Sequence, residues 1–339
     1  MLRTDFQTAQ PTGTAPVPTA TMTVDDMRRY LTATGDLQQE LFARARDVRR
    51  AHGVDDVKLR GVIEISNFCQ KTCDYCAIRG NNKSLDRYRM AVDDIMAIAE
   101  RIAEAGIGTV FLQAGQDPKM DPVVSEVIPR VRKELGCEVL LCLGEKPQAV
   151  YEEWAALGAT SYILKFETSD PLLYDQIVRT PLDKRIQCIR WIKETGMEIG
   201  TGNIIGLPGQ TLDTIVADIQ LAQELQPDFV SASPFIPNEG TPLETLNDGD
   251  MNVTLNIMAI FRILFPRALV PTVSAMEKLR KGGQLDGLNA GANVITINFT
   301  PQDCRDKYAI YSAKDRFVVN TDHAHQIIGD AGLHIRAPH

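Results

Sequence analysis

From residue 60 onward the chain alternates short apolar runs with longer amphipathic ones, and this alternation restricts the folds open to it. Strand candidates cover 61–66, 108–114, 138–143, 160–166, 198–205, 229–234, 269–274 and 294–299. Between them, 93–105, 121–135, 147–157, 183–195, 211–225 and 252–265 place apolar residues at the helical period. Strands alternating with helices imply right-handed βαβ units on a parallel sheet. Eight such strands imply an α/β fold of the TIM type, a closed (β/α)8 barrel. Barrels of this kind carry their chemistry at the C-terminal ends of the strands, so the residues after each strand are the candidates for function.

The flanks read differently. Residues 1–21 are rich in Pro, Thr, Ala and Gln without a period, as a flexible tail is. N-terminal helices are expected over 22–55: one from Thr23, at a Thr-Val-Asp-Asp start signal, and one over about 36–52 with Leu37, Leu41, Ala43 and Val48 on its period. The barrel then spans 56–300, and a capping segment spans 301–339. A hydrophobic fraction of 44% suffices for one large core in 339 residues. The net charge of −8 argues against a nucleic-acid surface. No apolar run reaches transmembrane length and no signal-peptide core opens the chain. Seven cysteines, an odd number with three clustered, suit a reducing cytoplasm better than a disulfide framework.

The first strand runs straight into Asn67-Phe68-Cys69-Gln70-Lys71-Thr72-Cys73-Asp74-Tyr75-Cys76. Thiolates spaced C-x3-C-x2-C can surround one face of a cubic iron–sulfur cluster, which normally takes four. Three leave one iron open, and an open coordination position is where chemistry occurs, as at catalytic zinc. Structural zinc needs a second cysteine pair or histidines. No such pair follows, and His52 is the only histidine before residue 323. Buried lone thiols are common, but three within eight positions are not that pattern.

The spacing, with Tyr75 before the last cysteine, resembles the radical S-adenosylmethionine (SAM) family. The resemblance implies a [4Fe-4S] cluster held by Cys69, Cys73 and Cys76, with SAM chelating the open iron. It further implies reductive cleavage of SAM to a 5′-deoxyadenosyl radical. Gly115 and Asp117, after the second strand, loosely match the family turn that holds the SAM amino group. Glu167 matches the acceptor of the ribose hydroxyls. Arg179 resembles the cation that pairs with the SAM carboxylate. Gly202, Ile204 and Gly206 resemble a G-x-I-x-G element beside the adenine, where glycines permit close approach. Taken singly, each of these is also an ordinary turn or surface charge.

Five runs in order sharpen the resemblance: Ile63 to Cys69, Asp86 to Met90, Gly206 to Thr211, Pro234 to Pro237 and Gly291 to Ile295. They are similar to the HydE-type maturases of [FeFe]-hydrogenase, and then to methylornithine synthase and biotin synthase. This implies a small-molecule substrate buried in the barrel and an electron donor such as flavodoxin or ferredoxin, and it puts Tyr308 near SAM. Departures concern the substrate. The maturase pattern Arg-His-Glu is Lys165-Phe166-Glu167 here, and lysine lacks the guanidinium fork. Ala114 replaces a serine, and Thr272-Val273-Ser274-Ala275-Met276 replaces Thr-Thr-Ala-Met. Lys165, Thr272 and Ser274 are the candidate anion anchor, with Met276 and Asn293 as further pocket contacts. Cys142 resembles one ligand of the second cluster of biotin synthase, but the other thiols are missing, so one cluster is expected. Cys142 is then a candidate hydrogen donor or substrate contact. The readings in play are a HydE-like maturase or paralogue with an altered pocket, an amino-acid carbon-skeleton mutase of the methylornithine synthase type, and a non-enzymatic iron–sulfur carrier.

Overall fold

The computed structural model describes residues 22–310 and 316–338. The expected tail over 1–21 lies outside the described residues. Seven parallel strands follow one another: β1 (Lys58–Ser66), β2 (Thr109–Ala114), β3 (Glu138–Cys142), β4 (Ser161–Ile163), β5 (Glu198–Ile205), β6 (Phe229–Pro234) and β7 (Val294–Asn298). They form one curled sheet in the order β6-β5-β4-β3-β2-β1-β7.

The expected strand over 269–274 is corrected. It survives as two isolated bridges, Phe229↔Leu269 and Pro271↔Val294, which span the gap between the edge strands. Pro271 has no N–H to give to a ladder, and a helix, Ser274–Leu279, begins at once. β4 is also shorter than expected, because the chain leaves regular pairing before Glu167.

Register explains the two cores. Val62, Phe111 and Leu140 lie side by side across β1, β2 and β3. With Phe229, Leu269 and Val294 they make one apolar layer inside the ring. The next residues along, Ile63, Leu112 and Leu141, belong to the larger core beneath the helices. That period-2 alternation puts one set inward and the other outward.

Helices Val92–Glu104, Asp121–Glu134, Gln148–Leu157, Leu182–Glu194, Leu212–Leu225 and Met251–Leu264 cover the outside. Residues 254–263 of the last are all buried, because the N-terminal helix Gly35–Ala51 packs over it. Gln38 donates to Asn256 Oδ1 at 2.9 Å, and the Asn256 amide donates to the carbonyls of Leu31 and Ala33. Thr23 caps the first helix, Val24–Leu31, in a reciprocal box with Asp26. No helix among the described residues is long and apolar enough to cross a membrane.

Candidate active site

β1 shifts register against β2 between Glu64 and Ser66, at the point where it feeds the cysteine loop. Such irregularities redirect a strand end. Arg87 then gathers the loop. Its guanidinium donates to the carbonyls of Ile78 (2.8 Å), Arg79 (2.7 Å) and Asn82 (2.9 Å), and also to that of Asn67. Asn67 in turn donates to the carbonyls of Asp86 and Lys307.

Cys69, Cys73 and Cys76 all line one cavity of about 260 Å³ at the C-terminal mouth of the sheet. Cys69 Sγ accepts the backbone N–H of Lys71 at 3.4 Å and of Gln116 at 3.3 Å. Burial pushes the Cys73 thiol up to about 11 and Cys76 higher still, so neither ionises alone in this setting. A bound cationic centre reverses that balance, because coordination deprotonates a thiol outright. Among the described residues no three His, Cys, Asp or Glu side chains converge on a single ion. A cubic cluster asks for a different arrangement, in which each thiolate holds its own iron. Three thiols lining one cavity fit that requirement.

The rest of this upper chamber includes Tyr75, Gly115, Lys165, Glu167, Arg185, Ile204 and Tyr308. Glu167 sits at φ +64°, the left-handed region, where an L-residue pays about 1–2 kcal/mol. Strand pairing holds it there: its N–H donates to the Gly202 carbonyl at 3.0 Å, and its carbonyl accepts from Ile204 at 2.8 Å. Oε1 accepts from the Tyr75 hydroxyl at 3.3 Å. Oε2, 3.3 Å from Lys165 Nζ, has no hydrogen-bond partner. Gly202 must be glycine, since a Cβ there would lie 1.9 Å from the Ser231 carbonyl oxygen. At Gly115 a Cβ would lie 2.3 Å from the Phe68 carbonyl oxygen.

Below lies an inner chamber of about 200 Å³, lined in part by Arg60, Glu64, Thr272, Ser274, Thr296 and Arg316. Gln113, Cys142, Ile163, Lys165, Ser233 and Ile310 line both chambers. Glu64 is paired with Arg316. Arg60 is 2% exposed and stacks 4.5 Å over the Phe229 ring, yet its Nε and Nη2 have no hydrogen-bond partner. Burial lowers its pKa to about 10, which leaves it charged at neutral pH. Burial pushes the Cys142 thiol up to about 12, so it stays protonated.

Several expected contacts lie outside both chambers. Asp117 is gripped by Arg89, at 2.6 and 3.1 Å, and by the Ser66 hydroxyl, so it braces the β2 end against the cysteine loop. Arg179 closes the helix Pro171–Val178 in a left-handed conformation and pairs with Asp74, a buried carboxylate of the cysteine loop. Asn293 Oδ1 accepts from Arg262 and from the Val270 N–H, which fastens the bridged segment. The Met276 sulfur packs against the Thr272 hydroxyl, which donates to the Gln284 carbonyl. Gly202 and Gly206 serve through backbone shape, while Ile204 reaches the cavity.

Arg185 was missed. It lines the upper chamber, pairs with Glu145 at 2.9 Å and donates to the Lys165 carbonyl at 2.8 Å. Lys71 pairs with the same Glu145 at 3.1 Å. A signal existed, because Arg185 interrupts the apolar stripe of Leu182, Ile186 and Ile189 on one helix face.

The family model of the radical SAM superfamily matches residues 63–222, and that of the biotin and thiamin synthesis associated domain matches 231–324. The [FeFe] hydrogenase maturase subunit HydE of Thermotoga maritima is 40% identical over 81% of this chain and 80% of its own. The 3-methylornithine synthase of Methanosarcina acetivorans is 30% identical over 83% of this chain and 80% of its own. The crystal structure of methylornithine synthase superposes with a TM-score of 0.83 at 25% identity, covering 93% of this chain and 94% of that one. The strand-end thiols, the curled parallel sheet and these relatives agree: the chain is an enzyme of the radical SAM superfamily, in the group that contains HydE, methylornithine synthase and biotin synthase.

Proposed function

We infer that the protein acts on a small anionic molecule in the inner chamber, below a SAM molecule bound to one [4Fe-4S] cluster in the upper one. The observation that carries this reading is Arg60, a buried cation on the wall of the inner chamber that forms no ion pair with a carboxylate among the described residues. A buried charge without a partner is strongly unfavourable, and a carboxylate is the natural match for a guanidinium fork. The cluster and SAM together supply a 5′-deoxyadenosyl radical. Cys69, Cys73 and Cys76 would hold the cluster. Tyr75 and Glu167 would take the ribose, and Ile204 the adenine. Gly115 and Tyr308 complete that wall, and Arg185 is better placed than Arg179 for the SAM carboxylate. Lys165, Ser274 and Thr272 line the same chamber as Arg60. Cys142, neutral and on the wall of both chambers, is placed to touch the substrate or to give it a hydrogen atom.

Similarity to HydE favours a maturase-like reaction on a small sulfur- or iron-containing precursor, or that of a paralogue with an altered pocket. The superposition on methylornithine synthase favours, as a second reading, a rearrangement of an amino-acid carbon skeleton. The chamber wall built around Glu167 and Ile204 argues against a bare iron–sulfur carrier. Seven cysteines without a disulfide, three of them assigned to the cluster, suit the reducing cytoplasm, and a flavodoxin or ferredoxin would deliver the electron. The test is a panel of amino acids and thiazolidine carboxylates against their carboxamides, read as stimulation of 5′-deoxyadenosine formation. Stimulation by carboxylates that is lost in Arg60→Met supports the reading. Equal stimulation by the amides contradicts it.

A further inference from the structure

Asp218 lies on the helix Leu212–Leu225, fully buried and in neither chamber wall. Among the described residues no cation pairs with it. Five donors hold it instead, and they divide between its oxygens. Oδ1 accepts from the Ser169 N–H (2.6 Å), the Ser169 hydroxyl (2.7 Å) and the Thr168 hydroxyl (3.4 Å). Oδ2 accepts from the amides of Asn203 (2.9 Å) and Gln210 (3.4 Å).

The two donor groups lie behind two neighbouring residues of the upper chamber, Glu167 and Ile204, whose backbones already pair. Thr168 and Ser169 follow Glu167, the residue in left-handed strain. Asn203 bridges to Glu167 within β5 and precedes Ile204. Gln210 bonds the Ile204 carbonyl at 2.9 Å and the Gly206 N–H at 2.8 Å, and so shapes the turn after β5. Asn203 Oδ1 has no partner, so its amide is oriented from the Asp218 side. One carboxylate therefore clamps the Glu167 turn to the β5 end from behind.

We propose that Asp218 is a positioning residue for SAM, bracing from behind the backbone pairing of Glu167 with β5 and so fixing how Glu167 and Ile204 face the nucleoside. The proposal rests on the reading that those two residues contact SAM. Asn at this position keeps the shape but turns an NH2 toward one donor group, which opens half of the clamp. Outer-layer partners of bound groups are typically worth about 10- to 100-fold.

The experiment compares Asp218→Asn, Glu167→Gln and wild type after anaerobic reconstitution. Equilibrium dialysis gives the SAM dissociation constant, iron analysis gives the cluster, and hydrogen exchange of the apoprotein reports residues 166–170 and 202–210. The expected result for Asp218→Asn is SAM binding weakened about tenfold, iron content unchanged, and faster exchange confined to those two segments. Wild-type affinity in Asp218→Asn alongside weakened binding in Glu167→Gln overturns the proposal. Wild-type affinity in Glu167→Gln overturns the underlying reading instead. Faster exchange throughout the chain with iron loss makes Asp218 merely structural and also overturns it. If Asp218→Asn does not fold, Ser169→Ala carries the same test, with the same results on either side.

Discussion

Lys165 Nζ lies 3.3 Å from the Glu167 carboxylate, on the wall where the upper and inner chambers meet. The pair is largely removed from solvent, with the side chains 18% and 11% exposed. One cation thus serves two compartments: it pairs with an acid on the wall of the upper chamber, and it lines the inner one as well.

Removing that cation leaves a buried carboxylate without its charge partner. Lys165→Met is expected to destabilise the apoprotein by about 2 kcal/mol, less than breaking a fully buried pair. The double variant Lys165→Met with Glu167→Gln recovers most of the loss. Urea titrations of the four proteins in a double-mutant cycle give the coupling; strict additivity would mean that the pair does not interact.

Arg60 predicts a change of the opposite sign. Replacing a buried guanidinium that has no ion pair, only the Phe229 ring and the distant attraction of Glu138 and Glu198, with an apolar chain of similar length removes a desolvation penalty larger than those contacts return. Arg60→Met therefore raises the melting temperature of the apoprotein while abolishing the response to carboxylate substrates. Differential scanning calorimetry checks the first half, and a lower melting temperature would show that the Phe229 ring and the two carboxylates outweigh the desolvation of the guanidinium.

At Gly202 the backbone leaves no room. A methyl 1.9 Å from the Ser231 carbonyl must push β5 away from β6. Gly202→Ala is expected to cost more than about 4 kcal/mol, the range in which a variant often fails to accumulate. Soluble yield and thermal unfolding report it. Gly209→Ala, where no atom lies within 4 Å of the added Cβ although φ is +85°, is the milder comparison.

Asp218 sets a pH dependence. Desolvation raises its carboxyl from 3.8 to about 6 against the pull of Ser169, Asn203 and Thr168. An acid whose folded pKa is raised binds more protons folded than unfolded between those values. Its ionisation therefore erodes stability as pH rises from about 4 to 6, by about 3 kcal/mol in total. Asp218→Asn removes this slope. Relative to wild type, the variant gains stability over that window, measured as unfolding free energy at pH 4, 5, 6 and 7; a constant difference would place the carboxyl near its ordinary value.

The alternation of apolar runs located the strands because inward and outward faces both need apolar side chains in a sheet covered by helices. It failed where backbone chemistry intervened. Pro271 thinned the bridged segment, and the turn at Glu167 cut β4 short. The cysteine triad was readable because its partners are local. Arg60 was not, since a charge at an inward strand position looks like the end of an apolar run. Asp117 took Arg89, between the cysteines and the next helix, and Arg179 took Asp74, within the cysteine run and 105 residues away. Such pairings follow from tertiary packing and leave no periodic trace. Arg185 and Asp218 share another cause: each is a charge on the buried face of an amphipathic helix, visible only as a break in an apolar stripe.

The measurement that bears most directly on the account is SAM cleavage by the anaerobically reconstituted protein with dithionite, in wild type and in Cys73→Ala. The expected result is a cluster of about four irons per chain, with 5′-deoxyadenosine and methionine from wild type and neither product from the variant. A fully reconstituted wild-type cluster that leaves SAM intact, with carboxylate substrates present, would contradict it.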